Sequence, residues 1–192
     1  MLTEGERFVM TFLNLLSFQD QGLYHVISNL SSMAARFVFA PIEESSYFYF
    51  SQCIDRNETR PKQLKEIAAK IAPILNNMLK IMTLLGAVIF VFGYHYSNTL
   101  LLLYGGTKLS EPGSISLMRW QCFYVAVIAI NGITETFTFA AMNEKQLNRF
   151  NSAMIGFSLL FLISAFVFVK FCGLTGFILA VCLPMVGRIF YG

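Results

Sequence analysis

Along the chain, apolar runs long enough or nearly long enough to cross a bilayer alternate with short polar stretches. A helix needs about 20 apolar residues to span the hydrocarbon core. Runs at 22–50, 71–94, 116–142, 153–169 and 172–189 meet or approach that length. The pattern predicts an all-α fold, a polytopic transmembrane helix bundle, with residues 1–192 forming a single partial transmembrane domain. Arg7–Phe18 is apolar but amounts to only half a span. The opening residues set Glu4, Glu6 and Asp20 against Arg7 alone, so they lack the basic n-region of a signal peptide. The chain is expected to be cut from something longer.

The polar stretches set the expected orientation. The linker at 51–70 holds Arg56, Arg60, Lys62, Lys65 and Lys70, and the loop at 143–150 holds Lys145 and Arg149. "YGGTKLSEPGS", 104–114, holds Lys108 alone and has turn chemistry in its paired glycines and its proline. Lys and Arg concentrate in cytosolic loops, so 51–70 and 143–150 are expected on the cytosolic side and 104–114 on the far side. Asn57-Glu58-Thr59 is a formal glycosylation sequon. Because it lies in the most basic loop, it is expected to be unmodified.

The first span carries charge where lipid is expected. At about 100° per residue, Asn29, Ser32, Arg36, Glu43 and Tyr47 fall on one stripe, with Glu44 at its edge and Ile27, Val38, Ile42 and Tyr49 opposite. A charge at mid-bilayer costs roughly 2.5–3.5 kcal/mol on insertion scales, which makes such residues candidates for a substrate pathway. Arg36 and Glu43 stand about 10.5 Å apart in helix rise, with Pro41 between them as an expected helix kink. Two readings stand side by side: an interhelical salt bridge that locks the bundle, and a water-filled, substrate-facing cavity.

A matching stripe runs through the third span. Asn131, Thr134, Glu135 and Thr138 keep i, i+3, i+4, i+7 spacing, and Tyr124 falls on the same side. Arg119, near the start of that span, is expected to snorkel to the interface. Lys80 and Arg188 are possible charge partners, Lys80 for a glutamate of another span and Arg188 as an interfacial anchor near the cytosolic end. The fourth span has no charge between Ala153 and Val169 and reads as a packing helix.

Composition narrows the classes. The chain is 56% hydrophobic and 13% charged, with a mean hydropathy of +0.60. The net charge of +3 is scattered, so there is no basic patch for nucleic acid. Cys53, Cys122, Cys172 and Cys182 match neither zinc nor redox spacing, and no metal or other cofactor is expected. No GxSxG, HExxH, P-loop or GxGxxG motif is present. Glu43 and Glu44 point about 100° apart on a helix, poor geometry for a carboxylate pair acting on one glycosidic bond. A transporter is expected in preference to an enzyme.

"RFVFAPIEESSYFYF", "GERFVMTFLN", the "YGG" turn, "NGITETFTFAAMNEKQLNRFN" and "CGLTGFILAVC" together resemble the eukaryotic dolichol-linked oligosaccharide translocation family (Rft-type) of the endoplasmic reticulum. That family is placed in the multidrug, oligosaccharidyl-lipid and polysaccharide flippase superfamily. The resemblance is collinear over nearly all of the chain. It implies a much longer protein with two helical lobes around a central cavity, of which this chain is part of the second, its partner being a missing N-terminal lobe. The family's Pro-Ile-Glu-Glu motif matches Pro41, Ile42, Glu43 and Glu44, and its Asn-Gly-x-Thr-Glu motif matches Asn131, Gly132, Thr134 and Glu135. One departure is that Val181 and Pro184 stand where polar residues are expected.

The implied role is translocation of a dolichyl-diphosphate-linked heptasaccharide from the cytosolic to the luminal leaflet of the endoplasmic reticulum membrane, for protein N-glycosylation. In it Arg36 attracts the diphosphate, Asn29, Glu43, Glu44 and Asn131 offer hydrogen bonds to sugar hydroxyls, Glu135 is a further substrate-binding residue, and the polyprenyl tail stays among membrane lipids. Two alternatives are a cation-coupled exporter of small molecules in the same superfamily, and a noncatalytic membrane scaffold for glycosylation components.

Overall fold

A computed structural model describes residues 18–54 and 61–191. The half-span expected before Phe18 and the sequon Asn57-Glu58-Thr59 lie outside the described residues. Every element among the described residues is helical. In chain order they are α1 (Phe18–Ala34), a π-helical turn (Ala35–Phe39), α2 (Ala40–Cys53), α3 (Pro61–His95), α4 (Ser97–Gly105), a 3-10 turn (Gly106–Leu109), α5 (Pro112–Ala141) and α6 (Glu144–Tyr191).

Three stretches are long and apolar enough to cross a membrane: Ala69–His95, Pro112–Ala141 and Gln146–Phe171. Gly173–Ile189 is a shorter apolar helix. Helix α6 contains both of these last two, and they meet at Gly173, whose φ of 60° and ψ of −136° break the helical path. The two arms fold back on each other there. Phe177 meets Phe161 edge-on with ring centroids 5.8 Å apart, and Gly176 lies against the carbonyl of Phe168. Helix α3 begins well before its apolar run, so residues 61–70 of the expected linker are helical. Pro61 takes the first helical position, where its missing N–H costs nothing.

Helix α5 is the axis of the bundle and packs against α1, α2, α3 and α6. Its sequence explains this position, because small and apolar residues occur all around it and let neighbours approach. A Cβ placed on Gly86 of α3 would stand 3.2 Å from the Ala129 Cβ of α5, the close small-residue contact that substitutes for hydrophobic drive inside a bilayer. Three buried layers follow along α5. The layer nearest its start joins Tyr24, Leu101, Leu117 and Phe177. The middle layer joins Phe39, Met82, Val125, Ala129 and Ile133, and the last joins Phe50, Ile71 and Ala140. The lipid-side residues of α3 and of the first arm of α6 are large and apolar, among them Leu84, Phe92, Ile163 and Phe171.

Between α1 and α2 the chain inserts one extra residue into a turn. The Ala40 N–H donates to the carbonyl of Ala35, five residues back, which is the π pattern. Pro41 follows immediately, within the first turn of α2, and has no N–H to continue the α ladder. Ser45 and Ser46 donate back to the carbonyls of Pro41 and Ile42, at 2.7 and 2.6 Å, contacts that favour bending. The expected kink is therefore a π turn capped by proline. It rotates everything after it by about one residue, roughly 100°. The inward face runs through Tyr24, Ile27, Ser31, Phe39, Ser46 and Phe50. Ile27, expected on the side opposite the polar stripe, is fully buried.

Candidate functional site

An open groove of about 690 Å³ lies where α2 leans on α5, in the half of the bundle nearer the basic segments 61–70 and 143–149. Helix α2 lines it with Ala40, Glu43, Glu44 and Tyr47, and α5 with Gly132, Glu135, Thr136 and Phe139; Leu147 of α6 closes one edge. The structure thus brings the three glutamates singled out in the sequence into a single groove.

Each acid is held differently. Glu43 is half-buried and its carboxyl rests on the Cα of Gly132, in space that any side chain at 132 would fill. Glu135 is also half-buried and accepts a hydrogen bond from the Asn131 Nδ2 at 3.0 Å. Glu44 is exposed at the rim beside Tyr47. The hydroxyls of the α5 stripe turn back on the helix: Thr134 donates to the Asn131 carbonyl at 2.9 Å and Thr138 to the Thr134 carbonyl at 2.7 Å. Asn131 is buried, with its Oδ1 free of hydrogen-bond partners.

The other candidates lie apart from the groove lining. Arg36 sits in the π turn and is exposed, as is Asn29 a further two turns back. The π turn separates the stripe expected from uniform helix geometry: Glu43 turns in toward α5, while Glu44 joins the outward face of Asn29 and Arg36. Lys80 is exposed on α3. Arg188 is buried near the end of α6, its Nε without a hydrogen bond. Among the described residues, neither of these cations nor Arg36 is paired with Glu43, Glu44 or Glu135. Val181 and Pro184 are buried in the second arm of α6, so that arm contributes packing at those positions.

Gly132, matched in the sequence only as part of a motif, matters through the helix it faces, which no single-helix pattern reveals, and one residue, Gln121, escaped the sequence reading. Gln121 is 1% exposed and its Nε2 lies 3.4 Å from the Ser28 hydroxyl, joining α5 to α1. Its signal was available, since it stands three residues before Tyr124 on the stripe that continues to Asn131 and Thr138.

Carboxylates offer only acceptor oxygens, so the groove suits a ligand rich in hydroxyl donors. The rings of Tyr47 and Phe139 supply apolar faces beside them. This combination fits the two sides of a sugar, its hydroxyl edge and its C–H face. A bare anion would be repelled by the three acids.

The family model described as Rft protein matches residues 1–192. Over 98% of its length the chain is 48% identical to the Man(5)GlcNAc(2)-PP-dolichol translocation protein RFT1 of Xenopus tropicalis, covering 35% of that protein. It is 44% identical to the protein of the same name from Mus musculus, again over 98% of the chain and 35% of the relative. The Saccharomyces cerevisiae protein of that name is 31% identical over the whole chain, which covers 32% of it. The chain therefore spans about a third of the length of the curated relatives it matches. No solved structure matches it. Its relatives are named as translocation proteins, and by the full-length family match and these identities the chain belongs to the Rft protein family.

Proposed function

We propose that the chain forms part of the second lobe of a translocator that moves a dolichyl-diphosphate-linked heptasaccharide from the cytosolic to the luminal leaflet of the endoplasmic reticulum membrane, for protein N-glycosylation. The names of its relatives support the substrate class. The observation that carries the reading in this chain is the convergence of Glu43, Glu44 and Glu135 in one groove edged by Tyr47 and Phe139.

In this reading the sugars lie in the groove, their hydroxyls donating to the three carboxylates. Arg36 stands two turns away toward the middle of the α1–α2 path, about 12 Å in helix rise from Glu44. Its exposed guanidinium suits the diphosphate, for which its planar donors are well matched. The head group thus runs from the groove between α2 and α5 to the outward face of the π turn, with sugars nearer the basic, cytosolic end and diphosphate deeper. The polyprenyl tail remains in lipid. A missing first lobe faces the Asn29–Arg36–Glu44 side and encloses the cavity between the two lobes. No step makes or breaks a covalent bond, so the protein acts as a transporter.

The test replaces Glu43 and Glu135 together by glutamine in the two-lobed protein and measures glycan occupancy of a reporter glycoprotein in cells that depend on it. Occupancy should fall with the amount of folded protein unchanged. Full occupancy with both acids neutralised rejects the groove as the sugar site. Loss of occupancy accompanied by wild-type lipid movement in purified vesicles assigns the protein to scaffolding instead.

A further inference from the structure

At the opposite end of α5 a second, smaller recess of about 290 Å³ opens between α3 and α5, lined by Phe90, Tyr94, Ser116, Arg119, Trp120 and Phe123. It shares no residue with the acidic groove. Arg119 is exposed at this end of α5. Its Cζ lies 4.9 Å from the centroid of the Tyr94 ring, held over that ring's face. The aromatic residues brace one another edge-on: Phe90 and Phe123 at 6.0 Å, Trp120 and Phe123 at 6.2 Å. Tyr94, Trp120 and Phe123 are nevertheless 40%, 39% and 38% exposed, so the recess is open on its outer side.

The position of this cation makes its surroundings informative. Arg119 is seven residues into α5, about 10.5 Å of rise below the helix start, and its side chain leans back toward that start. That places the guanidinium near the level where lipid head groups meet acyl chains. Helices α3 and α5 expose apolar faces on either side, and among the described residues no carboxylate is paired with Arg119. A fixed positive charge, a hydroxyl from Ser116 and an aromatic trough leading away from both are complementary to one molecule type: a head group with negative charge joined to hydrocarbon.

The geometry points to this recess as a binding site for an anionic glycerophospholipid of the leaflet at the Pro112 end of the bundle. Its phosphate accepts hydrogen bonds from Arg119 and Ser116, and its first acyl carbons lie against Phe90, Trp120 and Phe123. Basic pockets between membrane helices hold such head groups by this chemistry.

Trp120 is the only tryptophan in the chain, so the site is read in the two-lobed protein with any tryptophan outside this chain replaced by phenylalanine. The protein is placed in phosphatidylcholine nanodiscs containing a small, equal fraction of either bromo-acyl phosphatidylserine or bromo-acyl phosphatidylcholine, and quenching of Trp120 is compared. The anionic lipid should be enriched at the site by up to about fivefold, the upper end for one exposed ion pair, and quench correspondingly more at low mole fraction. Arg119→Gln should abolish the difference and Arg119→Lys should keep part of it. Equal quenching by the two lipids in the protein that keeps Arg119 overturns the proposal, leaving an aromatic anchor in bulk lipid, and that comparison needs no Arg119 variant to fold. A preference that survives Arg119→Gln also overturns it.

Discussion

The carboxyl of Glu43 on α2 rests against the Cα of Gly132 on α5, so that the two helices meet through an acid and a glycine. This contact explains why an Asn-Gly pair precedes the acid of α5. Asn131 steadies Glu135 from one side, and Gly132 leaves room on the other for a second carboxylate from α2. The sugar-binding reading depends on this placement, because it sets Glu43 facing into the groove beside Glu135.

Gly132→Ala is the sharpest test of the contact. The new Cβ meets Glu43, and the atoms it meets are the movable end of a side chain. Glu43 should therefore yield at a cost of about 1 kcal/mol, the low end for overpacking. Folding should survive while glycan occupancy drops. Combined with Glu43→Gln, the effect on occupancy should be markedly less than the sum of the two, since both act through one carboxylate. Additive losses would show that Gly132 acts elsewhere.

Asn131 is predicted to matter for stability as well. Asn131→Ala removes a hydrogen bond to a charged acceptor, worth about 1.5–3 kcal/mol, partly offset because it also removes a buried oxygen without a partner. Asn131→Asp should be worse than alanine, because it sets a second carboxylate one turn from Glu135 at a buried position. Thermal unfolding of the purified protein should rank the three as asparagine, alanine, aspartate, from most to least stable.

The fold-back of α6 makes a paired prediction. A Cβ at Gly176 runs into the backbone carbonyl of Phe168, which cannot move aside as a side-chain tip can, whereas a Cβ at Gly156 on the same helix meets nothing. Gly176→Ala should destabilise by at least about 3 kcal/mol, the upper end for overpacking. Gly156→Ala should be neutral or stabilising by up to about 1 kcal/mol. Equal unfolding temperatures for the two variants would contradict the close approach of the arms.

Pro41→Ala restores an N–H and lets the chain close an ordinary α turn where it now has a π turn. Transport should fall, since straightening the turn swings Glu43 away from Gly132 by about 100°. Stability should fall with it, by about 2 kcal/mol, because the same rotation carries the buried Phe50 out of its layer. A variant with full activity would mean that the π turn does not set the register of the acids.

How far the sequence could be read depended on whether one helix sufficed. The α5 stripe of Asn131, Thr134, Glu135 and Thr138 was legible because α5 runs unbroken through it, so its periodicity holds in three dimensions. The α1–α2 stripe was not, because wheel arithmetic assumes a constant turn and one residue is inserted at Ala35–Phe39. Pro41 signalled a disturbance but not its size. The reversal at Gly173 lies between the apolar segments Gln146–Phe171 and Gly173–Ile189. Helix α4 went unread because nine residues of apolar helix between a span and a turn carry no periodic signal of their own. Arg119 was placed near the interface from its position, but its rest on Tyr94 requires knowing that α3 lies alongside.

Whether the sugars of the lipid-linked substrate lie between α2 and α5 can be read by photocrosslinking. A dolichyl-diphosphate oligosaccharide carrying a diazirine on a terminal mannose is added to the reconstituted two-lobed protein, and adducts are located by mass spectrometry of its peptides. Adducts should concentrate on the groove residues Glu43, Glu44, Tyr47 and Phe139. Adducts confined to the lipid-facing sides of α3 and α6, with none on α2, would contradict that placement.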